Sequence, residues 1–338
     1  MTEPLLSLRE LSIAYRVGNA DTIAVDGASF DVEPGSIVGL VGESGCGKTT
    51  LARSLTRVLA SNARISGGQA IFGGQDIMAL PERAMNSLRW REIAFIPQSA
   101  MNSLDPVYKV GSQLAEVLVR RGGMGRAEAR RRSAELFEWV GIEASRLGDF
   151  PHQFSGGMRQ RVAIALALAL EPKLIIADEP VTALDVIVQR QILDQLRALK
   201  ERLGISVVLV THDISVVAYV CDRVVVMYAG RVVETGPMAA TLTAPAHPYT
   251  MGLRNAFPDL AGAAGVLTPI EGSPPNLANP PPGCRFAARC PFHEQRCRTV
   301  VPPLTSYQGD HLAACHRLGE AEALRMRAMA SETWQVPA

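Results

Sequence analysis

The chain has 338 residues, 47% of them hydrophobic and 20% charged. That balance provides for a large core and about two domains, and it excludes disordered and fibrous classes. Its 34 basic and 33 acidic residues leave a formal net charge of +1, so no broad positive field exists for a nucleic acid, and any anion has to be held locally.

The opening stretch "MTEPLLSLRE" lacks the basic region and long apolar region of a secretory signal. The longest apolar run, Val162 to Leu170, is about half of the roughly 20 residues that a membrane-spanning helix needs. The expected location is therefore the cytoplasm, with any membrane contact made through a partner. From Leu6 to about Gln98 the pattern predicts short strands and turns, including "SIVGLVG" and "EIAFIPQ", with a helix after Lys48. Between Ser99 and about Arg161 the chain turns polar and Arg-rich, and "GSQLAEVLVRR" and "AEARRRSAELFEWVG" carry apolar residues at helical spacing. A strand "LIIADEP", a helix "VIVQRQILDQLRALKERLG" and a strand "SVVLVTHD" then restore the alternation of a parallel α/β sheet. Beyond Gly236 prolines multiply, "SPPNLANPPPG" reads as a loop, and a separate C-terminal module is expected. The expected segments are 1–98, 99–160, 161–236 and 237–338.

The stretch Gly42, Glu43, Ser44, Gly45, Cys46, Gly47, Lys48, Thr49 fits G-x-x-x-x-G-K-[ST], between the strand-like "IVGLV" and the helix-like "TTLARSLTRVLA". Glycines let consecutive amides turn inward on phosphates, Lys48 reaches the terminal phosphates, and the Thr49 hydroxyl suits Mg²⁺. A tight structural turn is the competing reading of a lone match. Cys46 reads as a small filler. "LIIADEP" ends in Asp178 and Glu179 at the expected C-terminal edge of a parallel sheet, where ligands bind. Asp178 can hold the hydration shell of Mg²⁺, and Glu179 can orient or deprotonate a water. "FSGGMRQR", Phe154 to Arg161, opens an apparent helix with Ser-Gly-Gly, a geometry suited to an anion or to a plain N-cap.

With Gln98 ending a strand, Asp185 in "VTALD" and His212 in "LVTHD", these motifs come in the order and spacing of ATP-binding cassette (ABC) ATPases, which the chain resembles from about Leu6 to Gly236. The resemblance implies a P-loop NTPase (RecA-like) core with an inserted helical subdomain. It assigns Tyr15 to stacking on adenine and Gly42 to Thr50 to the Walker A loop. Gln98 becomes the glutamine that contacts Mg²⁺ and water. Ser155, Gly156 and Gly157 match the signature that caps the γ-phosphate of ATP on the opposing subunit. Asp178 and Glu179 are the Walker B pair, Asp185 belongs to the D-loop, and His212 polarises the γ-phosphate. Mg²⁺ would be held by Thr49, Gln98 and Asp178. Phe154 and Met158 depart from the commonest signature, which has Leu and Gln there. His152 and the "RRRSAE" run around Arg131 read as structural or solvated positions.

"IPQSAMNSLDPVYKVGSQLAE", "FPHQFSGGMRQR" and "HPYT" resemble importer ATPases for dipeptides, oligopeptides and, in some relatives, nickel. That likeness implies a second, usually different, ATPase subunit and two membrane permeases reached through the stretch Ser99 to Val110. It further implies an external solute-binding protein acting indirectly, and a peripheral place on the cytoplasmic face of the inner membrane. A soluble ABC ATPase of translation or repair would instead call for tandem cassettes or a long coiled coil, and a small-molecule kinase has no need of the signature or His212.

Of six cysteines, Cys46 and Cys221 are isolated, whereas Cys284, Cys290, Cys297 and Cys315 follow one another with gaps of five, six and seventeen residues. In a reducing compartment such crowding suggests a metal before disulfides. No paired C-x₂₋₄-C knuckle favours zinc, and the gaps do not match ferredoxin spacings. Zinc, a cluster and metal-free buried thiols all stay open on the residues alone. The importer resemblance implies a 4Fe-4S cluster, fastening a tail with little core of its own.

Overall fold

The computed structural model describes residues 3–100, 103–256 and 269–334. In chain order the strands and helices are β1 (Leu6–Val17), β2 (Ala20–Val32), β3 (Ile37–Val41), α1 (Lys48–Ser54), β4 (Ala63–Phe72), β5 (Gln75–Asp76), α2 (Glu82–Leu88) and β6 (Ile93–Ile96). Then come α3 (Val110–Arg120), α4 (Arg126–Trp139), α5 (Gly156–Ala167), β7 (Leu174–Asp178), α6 (Val186–Leu203), β8 (Ser206–Thr211) and α7 (Ile214–Val220). The chain continues with β9 (Arg223–Tyr228), β10 (Arg231–Pro237), α8 (Met238–Thr243), α9 (Pro248–Asn255), β11 (Thr305–Gln308), β12 (His311–Ala313) and α10 (Ala321–Ala328). Met101 and Asn102, within the stretch expected to meet the permeases, and residues 257–268 of the Pro-rich tail lie outside the described residues.

The chain divides into two compact units. One comprises Val32–Ile37 and Ala79–Val210. There β7 runs parallel between β6 and β8, and all five residues of β7 and all six of β8 are buried. Continuous apolar runs of this kind suit strands covered on both faces. The polar, Arg-rich stretch folds as the expected helices α3 and α4, whose Leu114, Leu118, Leu136 and Phe137 are fully buried. Of the run read as a solvated face, Arg131 is exposed, whereas Ser133 is buried and donates to the Ala129 carbonyl at 2.7 Å. Helix α6 starts where Asp185 accepts from the Val188 amide at 2.9 Å and stops at Gly204, φ 65°. A side-chain cap at one end and a left-handed glycine at the other satisfy the orphan backbone groups of a helix.

The other unit comprises Pro4–Asp31, Val38–Met78 and Thr211 onward. Where short strands were expected, β1 and β2 run for 12 and 13 residues and join β4 and β5 in an antiparallel sheet of order β2-β1-β4-β5. Their burial alternates only in part, which hides the length of such strands from pattern reading. In the same unit β3 pairs in parallel with β9, and β9 turns back onto β10. Ala229 and Gly230 make that turn, both at positive φ, the requirement of a two-residue hairpin whose twist matches its strands.

Residues of the C-terminal extension pair with this unit's sheet. Strand β12 pairs with β10 and with β11, so the C-terminal residues extend the sheet that carries β9 and β3. The extension does not lack a core. Tyr228, Tyr249 and Phe286 are at most 1% exposed, with ring centroids 4.6 to 5.4 Å apart; burying each such ring stabilises by about 1.5–3 kcal/mol. Glu234 of β10 is wholly buried. It accepts from the amides of Ala246 and His247 at 2.7 and 2.9 Å and bonds to His311 at 2.7 Å. A sheet residue thus satisfies the chain just before α9.

Candidate functional site

The loop from Gly42 to Lys48 joins β3 to α1 within one unit. Gly42 has φ 157°, and a Cβ there would stand 2.1 Å from the Met227 carbonyl. Gly47 has φ 101°, and its Cβ would stand 2.4 Å from the Ala24 carbonyl. Only glycine fits either place, because the backbone there is pressed against β9 and β2. Lys48 is 5% exposed, and its ammonium donates to the carbonyls of Gly42 at 2.7 Å and Glu43 at 2.9 Å. Cys46 is 2% exposed; burial comes first in raising its thiol above the ordinary range, against the lowering effect of Lys48, so it stays neutral. Its carbonyl accepts from the Gly230 amide at 2.9 Å. Tyr15, assigned to adenine, is half-buried with its hydroxyl 3.0 Å from that of Thr50. His212 is exposed directly after β8.

In the other unit Asp178 is 0% exposed at the end of β7. Glu179 follows at φ 49°, with its amide bound to the Val210 carbonyl at 2.9 Å. Its carboxylate accepts from the Gln98 amide at 2.9 Å and the Thr182 hydroxyl at 3.1 Å. A non-glycine residue held left-handed costs about 1–3 kcal/mol, and such strain concentrates at functional sites. Ser155 caps α5 by accepting from Met158 at 3.3 Å. Ser155, Gly157 and Met158 border an open groove with Arg161, Val188 and Gln191. Phe154, the departure from the usual signature, packs edge-on to Phe137 at 6.5 Å and under Arg146 at 4.9 Å. It is absorbed by the core of the helical segment. His152 stacks on Phe150 at 5.7 Å, a structural contact. Each unit thus gathers its own share of the sequence-predicted residues: the phosphate loop, Tyr15 and His212 in one; Gln98, the signature, Asp178, Glu179 and Asp185 in the other.

The four C-terminal cysteines line one cavity together with His293 and His316. Burial comes first in raising the Cys290 and Cys315 thiols, the latter to about 11, and the neighbouring cysteines add to both shifts. Among the described residues no three His, Cys, Asp or Glu side chains stand together closely enough to hold a metal ion.

Sequence reasoning missed several residues around the phosphate loop. Arg289 donates from Nη1 to both Glu43 oxygens at 2.9 Å and to the Tyr228 hydroxyl at 3.1 Å. The Tyr249 hydroxyl accepts from the Glu43 amide at 2.9 Å. Arg285 donates to the Ala229 carbonyl and to Asp26. "HPYT" is legible as a family marker. Its placing of Tyr249 on the phosphate loop is not, because the contact spans about two hundred residues.

A family model described as "ABC transporter" matches residues 25–182, and one described as "Oligopeptide/dipeptide transporter, C-terminal region" matches residues 233–297. The fold is similar to a dimeric ATP-binding cassette in a post-hydrolysis state bound to ADP and Pi, with TM-score 0.62 and 28% identity over 69% of this chain and 98% of that one. Fold, loop and match together define an ABC-type P-loop ATPase, an enzyme that hydrolyses ATP. The chain is 44% identical to the oligopeptide transport ATP-binding protein OppD of Salmonella typhimurium, over 93% of each chain. It is 42% identical to the dipeptide transport ATP-binding protein DppD of Bacillus subtilis, over 93% of this chain and 94% of that protein. The chain belongs to the family of oligopeptide and dipeptide ABC transporter ATP-binding subunits. No helix among the described residues is long and apolar enough to cross a membrane.

Proposed function

We propose that this chain powers an importer of dipeptides or oligopeptides, bound peripherally to membrane permeases at the cytoplasmic face of the inner membrane. The observation that carries this reading is the peptide-transporter C-terminal region lying in the same chain as the cassette. The chain pairs with a second cassette, of a different sequence, and the pair closes around two ATP. Exposed Val186 and Ile187, directly after Asp185, suit such a pairing, being 79% and 72% exposed. Val107 and Tyr108, 70% and 59% exposed in the stretch assigned to the permeases, suit docking there. A solute-binding protein acts indirectly, from the other side of the membrane, and nucleic acid has no part.

In the proposed cycle, the loop amides and Lys48 hold the phosphates of ATP, with Tyr15 against adenine. Thr49, Gln98 and Asp178 offer hard oxygen donors, the chemistry that Mg²⁺ prefers. When bound, Mg²⁺ neutralises charge on the phosphates. Glu179, its carboxylate fixed by Gln98 and Thr182, accepts the proton of the attacking water, and His212 steadies the γ-phosphate. Ser155, Gly156 and Gly157 cap ATP held by the partner cassette, and Asp185 spans the same interface. The proposal is tested by capturing the tagged chain from solubilised membranes and reconstituting what accompanies it in liposomes. ATP is expected to drive accumulation of a labelled peptide; nickel accumulation without peptide, or capture without permeases, would overturn the peptide reading.

Cys284, Cys290, Cys297 and Cys315 are proposed to hold a 4Fe-4S cluster. Four soft sulfur donors line one cavity there, the donor type a cluster takes; as placed no three stand together closely enough to hold a metal ion, so the cysteine loops would have to draw together on binding, and the raised thiols would each release a proton. A cluster would tie together the short stretch that carries the four cysteines, with a structural or regulatory role. Protein purified without oxygen is expected to be brown with about four irons, all lost together in Cys290→Ser. Stoichiometric zinc, or no metal at all, would refute the cluster.

A further inference from the structure

The phosphate loop carries a carboxylate of its own. Glu43 directly follows Gly42, and its side chain remains 25% exposed. A free negative charge at that position would oppose the phosphates that the loop is proposed to hold, since like charges in a partly buried site repel strongly. The carboxylate is not free. Arg289, 7% exposed, reaches it from the cysteine segment through Nη1 at 2.9 Å to both oxygens. The rest of the guanidinium is also fixed: Nη2 donates to the Ile270 carbonyl at 3.0 Å and Nε to the Glu271 carbonyl at 2.8 Å. Tyr228 accepts from the same Nη1 at 3.1 Å. So the arginine is aimed before any ligand arrives, and its position does not depend on Glu43 alone. Its neighbour in sequence, Cys290, lines the four-cysteine cavity.

We propose that Arg289 is a positioning residue for nucleotide binding, which neutralises Glu43 and turns it aside so that the loop amides and Lys48 present a net positive field to the phosphates. The C-terminal segment is then part of the nucleotide site's electrostatics. This rests on the reading of Gly42 to Thr50 as the ATP loop. An arginine that merely anchors the segment would give a different pattern of second-site effects.

The test uses the full chain with Arg289→Gln, Glu43→Gln and the double change, each titrated with a fluorescent ATP analogue and Mg²⁺ at low and high salt and checked for fold by thermal melting. Arg289→Gln is expected to weaken binding about tenfold at low salt and less at high salt, as screening shortens the reach of the uncovered charge. Glu43→Gln, which leaves the arginine's charge uncancelled, is expected to bind more tightly than the parent at low salt, and the double variant, with neither charge, to return to the parent's affinity. Parental affinity in Arg289→Gln, or a double variant as weak as Arg289→Gln, would overturn the inference. Should Arg289→Gln fail to fold, the double variant decides alone: recovered binding supports charge cancellation, and folded protein with weak binding refutes it. Failure of both to fold would make Arg289 structural only and likewise refute it. A parent chain that does not bind ATP would overturn the phosphate-loop reading itself.

Discussion

Glu179→Gln is expected to retain ATP affinity and to slow hydrolysis by about 10²- to 10⁴-fold, the worth of a well-placed general base. The amide keeps the size of the carboxylate and can still accept from Gln98 and Thr182, which hold the native side chain at 2.9 and 3.1 Å. What it loses is the capacity to take a proton. Because hydrolysis is what reopens the proposed closed pair, ATP-dependent dimers should accumulate, since nucleotide stabilises the closed state by its differential contacts. The measurements are turnover in the assembled complex and the ATP-dependent shift in size on gel filtration. Near-normal hydrolysis, with the partner site disabled, would remove Glu179 from the role of base.

Lys48→Ala should act on binding itself. The buried ammonium donates to the Gly42 and Glu43 carbonyls, and in the proposed complex it meets phosphate oxygens from the same place. A hydrogen bond to a charged group is worth about 1.5–3 kcal/mol, which corresponds to roughly a 10- to 100-fold loss of ATP affinity. The two carbonyls would lose their donor as well, so the loop should loosen and melt more readily. An unchanged nucleotide titration would sink the assignment. Together the two variants separate binding from chemistry, because one lowers affinity and the other turnover.

The elements proposed to carry the chemistry were legible because each is written in consecutive residues. "IVGLV" followed by glycines and lysine is a strand, a bare loop and a helix start, and the structure places β3, the loop and α1 there. "LIIAD" is a wholly buried strand ending in acids, as β7 is. Asp185 and Ser155 sit directly before long apolar-periodic runs and cap their helices. The long β1 and β2 were read as shorter strands because their partner is each other or β4, and pairing lengthens a strand without altering its local pattern.

The C-terminal region was read least well. Its prolines signal loops, and they form them, but the aromatic cluster of Tyr228, Tyr249 and Phe286 brings together residues from three distant stretches. No window of sequence contains that core. The buried Glu234 is a single acid inside an apolar strand until His311 and the chain before α9 are folded against it.

The sequence by itself determined the P-loop ATPase class, the glycine loop between β3 and α1 and the acids at the end of β7, because local backbone demands and short-range periodicity impose them on neighbouring residues. Only the tertiary structure decided that the Pro-rich tail joins the sheet of β9 and β10 and that Arg289 lies on Glu43 across 246 positions of chain. The physical reason is that such contacts depend on burial and on charges meeting through space. Their energy is realised only when the sheet has brought remote segments within hydrogen-bonding distance, and spacing along the chain carries no record of it.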